Sequence, residues 1–470
     1  MTVSPRTRRL TGRTSIKRFL LLLCAVISFS VFLLGRSMNS KPSEDLGLHD
    51  SPQQSEKTAA EIGAVRDIVK LVMNIGRSFV QQTFRRPHKD FIAERWYFSP
   101  SKKNVTFYSS ALPDLHELWP RADLIQMDRI ENQLLFKPSW ITPVGQGNST
   151  NGLKLIFVPD NVDSWYSEEG RGTFLKDKCP VNTCFLTNDK TLAKKADAIM
   201  FRGSSYGYRR SDYPESQIWI LYLLESPLNT PNFSSSTFNL DSINWTATYR
   251  SDSDIVTPYG RYGSYDPTGM LEVGSRSPAV DYASRKKGKG KVVWFVSNCQ
   301  AHNNRKDYAN ELAKHIPVDI YGSCGDKKCG KDRKDCMEML QTEYKFYLAF
   351  ENSNCRWYIT EKMWDVSFKQ DLIPIVMGAP LEDYKAVAPP KSFIHVDEFA
   401  GPEQLAHYLR ELDLNDVLYN EYFQWRTTGE IVNTYTLCRV CAMLHSNYSK
   451  KHYDDIERWW RAPGTCQTKR

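Results

Sequence analysis

Residues 350–380 read FENSNCRWYITEKMWDVSFKQDLIPIVMGAP and contain a helix pattern between two strand patterns. The apolar runs Lys345–Phe350 and Leu372–Met377 have the length and composition of buried strands, and Ile359–Gln370 is predicted as a helix. Strand and helix patterns alternate over the whole of residues 292–412. This alternation predicts parallel βαβ units, which form a Rossmann-like half that binds a nucleotide at the carboxyl ends of its strands.

The start of the predicted helix is a candidate phosphate site. Thr360 is expected to cap the helix, and Glu361 and Lys362 fall in its first turn. A helix N-terminus beside a cation, placed just after a central strand, favours an anionic phosphate. Tyr358, which could stack on a ring, and Asn352 flank this turn. A capped helix with a surface lysine would give the same pattern, so these residues alone leave both interpretations open.

Composition and charge exclude several classes of protein. The chain has 470 residues, of which 41% are hydrophobic and 25% charged, so it is neither wholly disordered nor a polytopic membrane protein. Its net charge is +8, but six cations and no acids lie in the first eighteen residues, which leaves +2 on the rest. A nucleic-acid partner is therefore not expected. Neither Gly-x-Gly-x-x-Gly nor a Walker loop occurs, so dinucleotide and ATP chemistry have no local support.

The apolar run FLLLLCAVISFSVFLLG at residues 19–35 predicts a transmembrane signal-anchor. Because the cations precede it, residues 1–18 are expected to be a cytoplasmic tail and the remainder lumenal, as in a single-pass type II protein. The short run suits a Golgi-type membrane, and a cleaved signal peptide is the alternative. Residues 36–95 are expected to form a stem: a polar spacer and an amphipathic helix that either packs on the following domain or forms a homodimer.

Cysteines and glycosylation motifs also indicate a lumenal chain. Ten cysteines follow the anchor, an even number suited to disulfides in an oxidising compartment. Zinc binding by the pairs Cys324/Cys329 and Cys438/Cys441 is the alternative, but no histidine pair at finger spacing accompanies them. The five predicted N-glycosylation sites are Asn104, Asn148, Asn232, Asn244 and Asn447.

The main domain boundary is predicted at residues 284–291, SRKKGKGK, a basic and glycine-containing stretch expected to be an exposed linker. Before it, three short apolar runs at 153–158, 198–201 and 217–224 predict buried strands. Two domains are therefore expected, one on each side of the linker.

Several motifs of the chain together resemble those of a known enzyme family. The string FENS, followed by Tyr-Ile-Thr-Glu-Lys and Ile-Pro-Ile-Val-Met-Gly, resembles the donor-site signature of the α1,3-fucosyltransferases, glycosyltransferase family 10. The similarity extends over most of residues 150–445, and the region after residue 429 is similar to the invertebrate glycoprotein core branch, type A. The other blocks that carry it include Cys179-x4-Cys184, Glu225-Ser-Pro227, Ser297-Asn-Cys299 and Cys438-x-x-Cys441.

The resemblance implies an α/β fold of the GT-B type, with two Rossmann-like domains facing a cleft. Residues 96–283 would be the acceptor-side domain, 292–430 the GDP-fucose-binding domain and 431–470 a disulfide-tied segment. Cys179 and Cys184 would pair with Cys438 and Cys441.

The implied reaction moves L-fucose from GDP-β-L-fucose, with inversion, to the 3-hydroxyl of the innermost, Asn-linked GlcNAc of glycoprotein N-glycans in the Golgi. Two alternatives stay open. One is a Lewis-type enzyme that acts on antennal LacNAc or LacdiNAc, and the other is a membrane-anchored lectin without catalysis.

The resemblance also implies roles for individual residues. Inversion by a single displacement needs one carboxylate to take the acceptor proton, and Glu225 matches the family's base. A strand-terminal surface glutamate is the alternative for this position. The implied donor-binding residues are Arg305 and Lys362 for the diphosphate, Glu361 for the ribose hydroxyls, and Tyr358 and Asn352 for the guanine or ribose.

One motif suggests a metal. Asp252-Ser-Asp254 has the Asp-x-Asp form with which other glycosyltransferases bind manganese. It precedes the nucleotide-binding half, however, and the two cations can neutralise the leaving group. We therefore expect no required metal or cofactor, with manganese at most stimulating the reaction.

Overall fold

The computed structural model describes residues 118–120, 129–138, 152–160, 162, 167–203, 207–233, 241–264, 280–286, 290–329, 333–446 and 452–467. All of them belong to one compact unit, residues 89–470. The predicted tail, anchor and stem (1–95) and the sequons Asn104, Asn148 and Asn447 lie outside the described residues. Within the described ranges, every helix is too short or too polar to cross a membrane.

The strands are, in chain order, β1 (Lys154–Phe157), β2 (Cys184–Thr187), β3 (Ala198–Arg202), β4 (Ile218–Leu223), β5 (Trp245–Thr248), β6 (Arg261–Ser264), β7 (Gly290–Phe295), β8 (Val318–Tyr321), β9 (Tyr344–Phe350), β10 (Asn354–Cys355), β11 (Ile373–Met377), β12 (Ile394–His395), β13 (Gly429–Val432) and β14 (Cys466–Gln467).

The α-helices are α1 (Arg129–Leu135), α2 (Gly172–Lys176), α3 (Arg305–Ala313), α4 (Arg333–Glu343), α5 (Leu381–Val387), α6 (Pro402–Leu414), α7 (Asp416–Glu421), α8 (Thr436–Leu444) and α9 (Ile456–Trp460).

Two five-stranded parallel sheets organise the fold. The first half, residues 152–264, has the strand order β2-β1-β3-β4-β5, and the second half, residues 290–427, has the order β12-β11-β9-β7-β8. The observed sheets confirm the prediction of a parallel α/β fold.

Both faces of the second sheet are covered by helices, as its continuous apolar strands predict. Leu312 of α3 and Leu409 of α6 belong to the apolar cluster on one face. On the other face, Leu340 of α4 and Trp364 pack against alternate strand residues. All seven residues of β9 are buried, which is why this strand was recognisable from composition alone.

The strand order places a crevice at a defined point of each sheet. Numbered within its own sheet, each half has the doubly wound order 2-1-3-4-5. In such sheets the connections leave the first and third strands in opposite directions, which opens a ligand-binding crevice at their carboxyl ends. In the second half this point lies between the ends of β7 and β9.

Two expectations about the secondary structure and the linker are wrong. The helix predicted for Ile359–Gln370 is only a short π-helical turn, Lys362–Ser367. The linker 284–291 is not exposed throughout, because Lys286 is buried and its Nζ donates to the Gln341 carbonyl at 2.8 Å. Burial lowers the pKa of Lys286 to about 8. Strand β7 already begins at Gly290.

The C-terminal segment, residues 428–467, crosses back to both halves. Its helix α8 is joined to the first half by the disulfides Cys179–Cys438 and Cys184–Cys441, the pairing that the resemblance implies. Its last strand, β14, pairs with β10 of the second half. The remaining disulfides among the described residues are Cys299–Cys324, Cys329–Cys336 and Cys355–Cys466.

These pairings leave no cysteine for the zinc alternative. Cys324, Cys329, Cys438 and Cys441 are each bonded to another cysteine. In the part of the chain that is described, the grouping of three potential metal ligands is Cys184, Cys441 and His445, and its two cysteines are already oxidised.

The two described sequons differ in accessibility. Asn232 is exposed. Asn244 is only 6% exposed, and its Oδ1 accepts a hydrogen bond from the Trp219 amide at 2.8 Å. This burial argues against the predicted glycan at Asn244, because the side chain is part of the first half's interior.

Candidate active site

A cavity of about 280 Å³ lies at the carboxyl ends of β7 and β9, where the strand order predicts a ligand. It brings together every residue that the sequence proposed as catalytic or donor-binding. Those residues are Glu225, Arg305, Asn352, Tyr358, Glu361 and Lys362. The first half contributes Glu225 and Tyr259, and the second half contributes the others, so the site depends on both sheets.

The Glu225 carboxylate is held in one orientation. Oε1 accepts hydrogen bonds from the Ser226 amide at 2.9 Å, Asn352 Nδ2 at 3.2 Å and the Tyr358 hydroxyl at 2.6 Å. Tyr259 fixes the preceding backbone, since its hydroxyl donates to the Leu224 carbonyl at 2.7 Å. Oε2 has no hydrogen-bond donor among the described residues. One carboxylate oxygen is thus anchored and the other is available to accept a proton.

Tyr358 is hydrogen-bonded to Glu225. Its side chain is 2% exposed, and its ring packs against Tyr249 with centroids 5.1 Å apart. Tyr249 therefore packs against the ring and Glu225 accepts from the hydroxyl, while the contact of Tyr358 with guanine or ribose that the resemblance implies stays a prediction. Burial raises the pKa of Tyr358, with Glu351 and Glu225 adding to the shift, so the hydroxyl stays protonated and donates to Glu225.

A buried polar bridge joins the two halves beside Glu225. The hydroxyls of Ser226 and Ser353 lie 2.7 Å apart, and Asn229 Nδ2 donates to both. Ser353 Oγ also donates to Asn352 Oδ1 at 3.0 Å. The Asn352 amide therefore faces Glu225, where the sequence suggested guanine or ribose. Both serines are fully buried, so the bridge fixes how the Glu-Ser-Pro turn meets the Asn-Ser turn.

Lys362 donates three hydrogen bonds. Its Nζ lies 3.0 Å from Glu351 Oε2, 2.7 Å from Thr360 Oγ1 and 3.2 Å from Glu361 Oε1. Burial alone lowers the pKa of Lys362, but Glu351 and Glu361 outweigh it and the net shift is upward. The ammonium group is therefore charged throughout the physiological range.

Thr360 does not cap a helix as predicted. Its hydroxyl donates to Glu351 Oε2 at 2.8 Å, and its amide donates to Glu351 Oε1 at 2.7 Å. The physical reason is Glu351, a fully buried carboxylate that takes the donors nearest to it. The phosphate site predicted from a capped helix N-terminus therefore reduces to the Lys362 side chain and its neighbours.

Glu351 is a site residue that the sequence motifs did not predict. It is the glutamate of the FENS motif and directly follows the buried strand β9. A carboxylate at the end of a buried strand needs a cation or hydrogen-bond donors as partners, and this need could have indicated that Glu351 belongs to the site. Its partners, Thr360 and Lys362, became visible only in the folded chain.

Arg305 ties together the two loops that border the crevice. Its Nη1 donates to the Phe350 carbonyl at 2.7 Å, and its Nη2 donates to the Asn298 carbonyl at 2.9 Å. Burial lowers the pKa of Arg305, opposed chiefly by Glu351, yet a guanidinium stays protonated. Each of these nitrogens carries a second hydrogen, so Arg305 can still donate to an anion in the cavity.

Glu361 is a partly exposed acid of the site. Its side chain is 45% exposed and its contact with Lys362 is the longest of the three. It can therefore exchange this contact for a ligand hydroxyl at little cost.

The Asp252-x-Asp254 motif has a structural place outside the cavity. Asp254 is fully buried, and its Oδ2 accepts from the Thr246 amide at 2.9 Å and the Tyr453 hydroxyl at 2.8 Å. Asp252 forms an ion pair with Arg250, whose Nη1 donates to the Trp459 carbonyl. The two aspartates thus help to fasten the C-terminal segment to the first half.

Two family models and several known proteins match the chain. "Glycosyltransferase family 10 (fucosyltransferase) C-term" matches residues 284–459, and "Fucosyltransferase, N-terminal" matches residues 157–260. A solved structure, "Crystal Structure of alpha1,3-Fucosyltransferase", is 18% identical and covers 63% of this chain and 91% of its own, with a TM-score of 0.43.

The sequence relatives are more similar. Glycoprotein 3-alpha-L-fucosyltransferase A of Drosophila melanogaster is 47% identical over 348 residues, which are 73% of this chain and 66% of the relative, so the match spans about two thirds of that protein's length. Alpha-(1,3)-fucosyltransferase 7 of Bos taurus is 32% identical over 60% of this chain and 79% of its own. The chain therefore belongs to glycosyltransferase family 10, as an α1,3-fucosyltransferase.

Proposed function

We propose that the chain is an inverting GT-B glycosyltransferase that moves L-fucose from GDP-β-L-fucose to the 3-hydroxyl of the innermost, Asn-linked GlcNAc of N-glycans. One observation carries this proposal. A single cavity holds an oriented carboxylate, Glu225, supplied by the first half, and two cations, Arg305 and Lys362, supplied by the second. An anionic leaving group and a deprotonating base are the two needs of this transfer.

On the donor side, Arg305 and Lys362 would bind the diphosphate of GDP. Arginine can meet two phosphate oxygens through parallel hydrogen bonds, and lysine supplies a compact charge. Lys362 already has three acceptors, so a diphosphate oxygen must replace one of them. Glu361 is the one that yields, because it is exposed and can turn to the ribose hydroxyls while Glu351 and Thr360 stay in place.

On the acceptor side, Glu225 would act as the general base. The GlcNAc 3-oxygen attacks C1 of fucose from the face opposite the phosphate, and its proton passes to Glu225 Oε2. The C1–O bond to the β-phosphate breaks, and its electron pair leaves with GDP, so the β-linkage of the donor becomes an α-linkage. The three donors on Oε1 hold the carboxylate in one orientation during the transfer.

A glycoprotein acceptor is supported by the relative named glycoprotein 3-alpha-L-fucosyltransferase A, at 47% identity. A decisive experiment gives the purified full-length chain GDP-fucose with either a glycopeptide that carries an N-glycan core or free LacNAc and LacdiNAc, and locates the fucose by mass spectrometry. We expect α1,3-fucose on the Asn-linked GlcNAc. Fucose on the antennal sugars would establish the Lewis-type alternative, and sugar binding without transfer would establish a lectin.

We expect turnover to survive removal of divalent metal ions. Both aspartates of the Asp-x-Asp motif are occupied by protein contacts, whereas Arg305 and Lys362 line the cavity and can neutralise the leaving diphosphate. The test is the initial rate before and after EDTA treatment, with manganese then added back. Loss of activity that manganese restores would contradict the assignment of charge neutralisation to the two side chains.

We further propose that the protein is anchored in the Golgi membrane by residues 19–35, with its catalytic part in the lumen and glycoproteins as its partners. The apolar run, the preceding cations, the sequons and the disulfides support this orientation. We also propose that the protein forms a homodimer through the stem. Sedimentation of the detergent-solubilised chain would test this.

A further inference from the structure

Glu351 is not among the residues that line the cavity, but its carboxylate contacts Lys362, which does. The carboxylate is fully buried, and its hydrogen-bond donors among the described residues all come from the turn that carries Lys362. We propose that Glu351 is a positioning residue that fixes the Lys362 ammonium at the place where the donor's diphosphate binds. This inference rests on the proposed function, because it assigns to Lys362 the diphosphate of a nucleotide sugar.

The backbone around Glu351 is built to keep its carboxylate in place. The Glu351 amide donates to the Met377 carbonyl of β11 at 2.8 Å, and Asn303 Nδ2 donates to the Glu351 carbonyl at 2.9 Å. Gly378 makes room for the side chain. Its φ is 146°, and a Cβ at this position would lie 2.7 Å from the Glu351 Cβ, too close for any other residue without movement.

The carboxylate then organises the turn. Oε1 accepts the Thr360 amide and Oε2 accepts both the Thr360 hydroxyl and Lys362 Nζ, so one rigid group sets the start of the π-helical turn and the position of the cation. Thr360 Oγ1 accepts from the same ammonium at 2.7 Å. Two of the three acceptors of Lys362 are therefore fixed, and the accessible Glu361 is the third.

The difference in exposure between Glu351 and Glu361 explains why two acids lie beside one lysine. Glu361 can leave Lys362 when a nucleotide arrives, whereas Glu351 cannot, since it has no access to solvent. With Glu361 turned away, Glu351 is the carboxylate that still pairs with the ammonium and holds it beside the cavity. Without Glu351, burial would favour the neutral amine and the side chain would lose its anchor.

The test is GDP binding by the full-length chain, measured by calorimetry between pH 7.5 and 9.5 for wild type and Glu351→Gln. The terminal phosphate of GDP is ionised throughout, because its second pKa is about 6. We expect the Kd of Glu351→Gln to rise about tenfold at pH 7.5 and to rise further with pH, because the pKa of Lys362 falls when a neighbouring carboxylate is removed. The wild-type Kd should change far less over this interval, and only as the guanine ring of GDP begins to lose its N1 proton, an effect that both proteins share.

Other groups around Lys362 do not produce this pH dependence. Burial raises the pKa values of Tyr259 and Tyr358 above the ordinary value, and Arg305 remains protonated. The carboxylates facing the same cavity, Glu225 and Glu361, are unchanged in the variant. A pH-dependent loss of affinity that is confined to Glu351→Gln therefore reports Lys362.

Two further variants separate positioning from a loss of folding. Asp371→Asn removes a largely buried carboxylate from its ion pair with Arg426, outside the cavity, and should lower the melting temperature without altering the pH profile of GDP binding. Thr360→Val keeps the charge pair but removes the shared hydroxyl. It should weaken GDP binding severalfold with the wild-type pH profile, and this result is informative even if Glu351→Gln does not fold.

The outcomes are distinct. If wild type binds GDP and a folded Glu351→Gln binds it equally well at every pH, the positioning role is wrong while the proposed function stands. An unchanged Kd in Thr360→Val would contradict the positioning role in the same way. If wild type itself does not bind GDP, the proposed function fails first.

Discussion

Glu225→Gln should lower kcat by about a thousandfold while the Kd for GDP stays unchanged, because loss of a general base typically costs two to four orders of magnitude. The amide oxygen of glutamine can still accept the hydrogen bonds from Ser226, Asn352 and Tyr358, so the turn should keep its geometry. The other oxygen becomes an NH2 group, which cannot take the acceptor's proton.

Single-turnover transfer from GDP-fucose and calorimetry with GDP measure the two effects separately. Glu215→Gln is the matched control, since it makes the same chemical change at an exposed position of the first half and should leave both quantities unchanged. Parallel losses of turnover and GDP affinity in Glu225→Gln would show that Glu225 holds the turn together instead of accepting a proton.

Lys362→Ala should have the second largest effect, a rise of about 10- to 100-fold in the Kd for GDP. Hydrogen bonds to charged groups contribute about 1.5–3 kcal/mol, and the ammonium is one of the two cations that line the cavity. The substitution also leaves Glu351 buried without its cation, which costs about 3–5 kcal/mol of folding free energy if the carboxylate stays charged. A lower melting temperature is therefore expected as well.

Two comparisons isolate the effect on GDP. Lys362→Arg retains the positive charge and should recover part of the affinity, whereas Lys314→Ala, at an exposed position near the end of α3, should bind GDP like wild type. An inhibition constant for GDP that is the same in wild type and in a folded Lys362→Ala would remove this lysine from the donor site.

The sequence predicted the second sheet well because its strands are buried on both faces. β9 and β11 were found within one residue at each end, since continuous apolar runs have few other interpretations. The six proposed site residues also lie in one cavity. Five of them come after β7 or β9, whose carboxyl ends lie side by side in the second sheet, and Glu225 follows β4 of the first sheet.

The failures have a common cause, which is pairing between residues distant in sequence. Thr360 looked like a helix cap because its partner, Glu351, could not be inferred from local pattern. The contact between Tyr358 and Tyr249 could not be inferred either, because Tyr249 belongs to the first half. Lys286 looked exposed because a lysine in a basic stretch usually is, and only the fold places the Gln341 carbonyl beside it.

The most direct measurement is a crystal structure of the protein with GDP bound. We predict the diphosphate at the carboxyl ends of β7 and β9, with oxygens in hydrogen-bond contact with Lys362 and Arg305, Glu361 turned to the ribose hydroxyls, and Glu225 Oε2 facing the vacant fucose position. A diphosphate bound anywhere else, with Lys362 still held by all three of its present acceptors, would contradict the assignment of this cavity as the donor site.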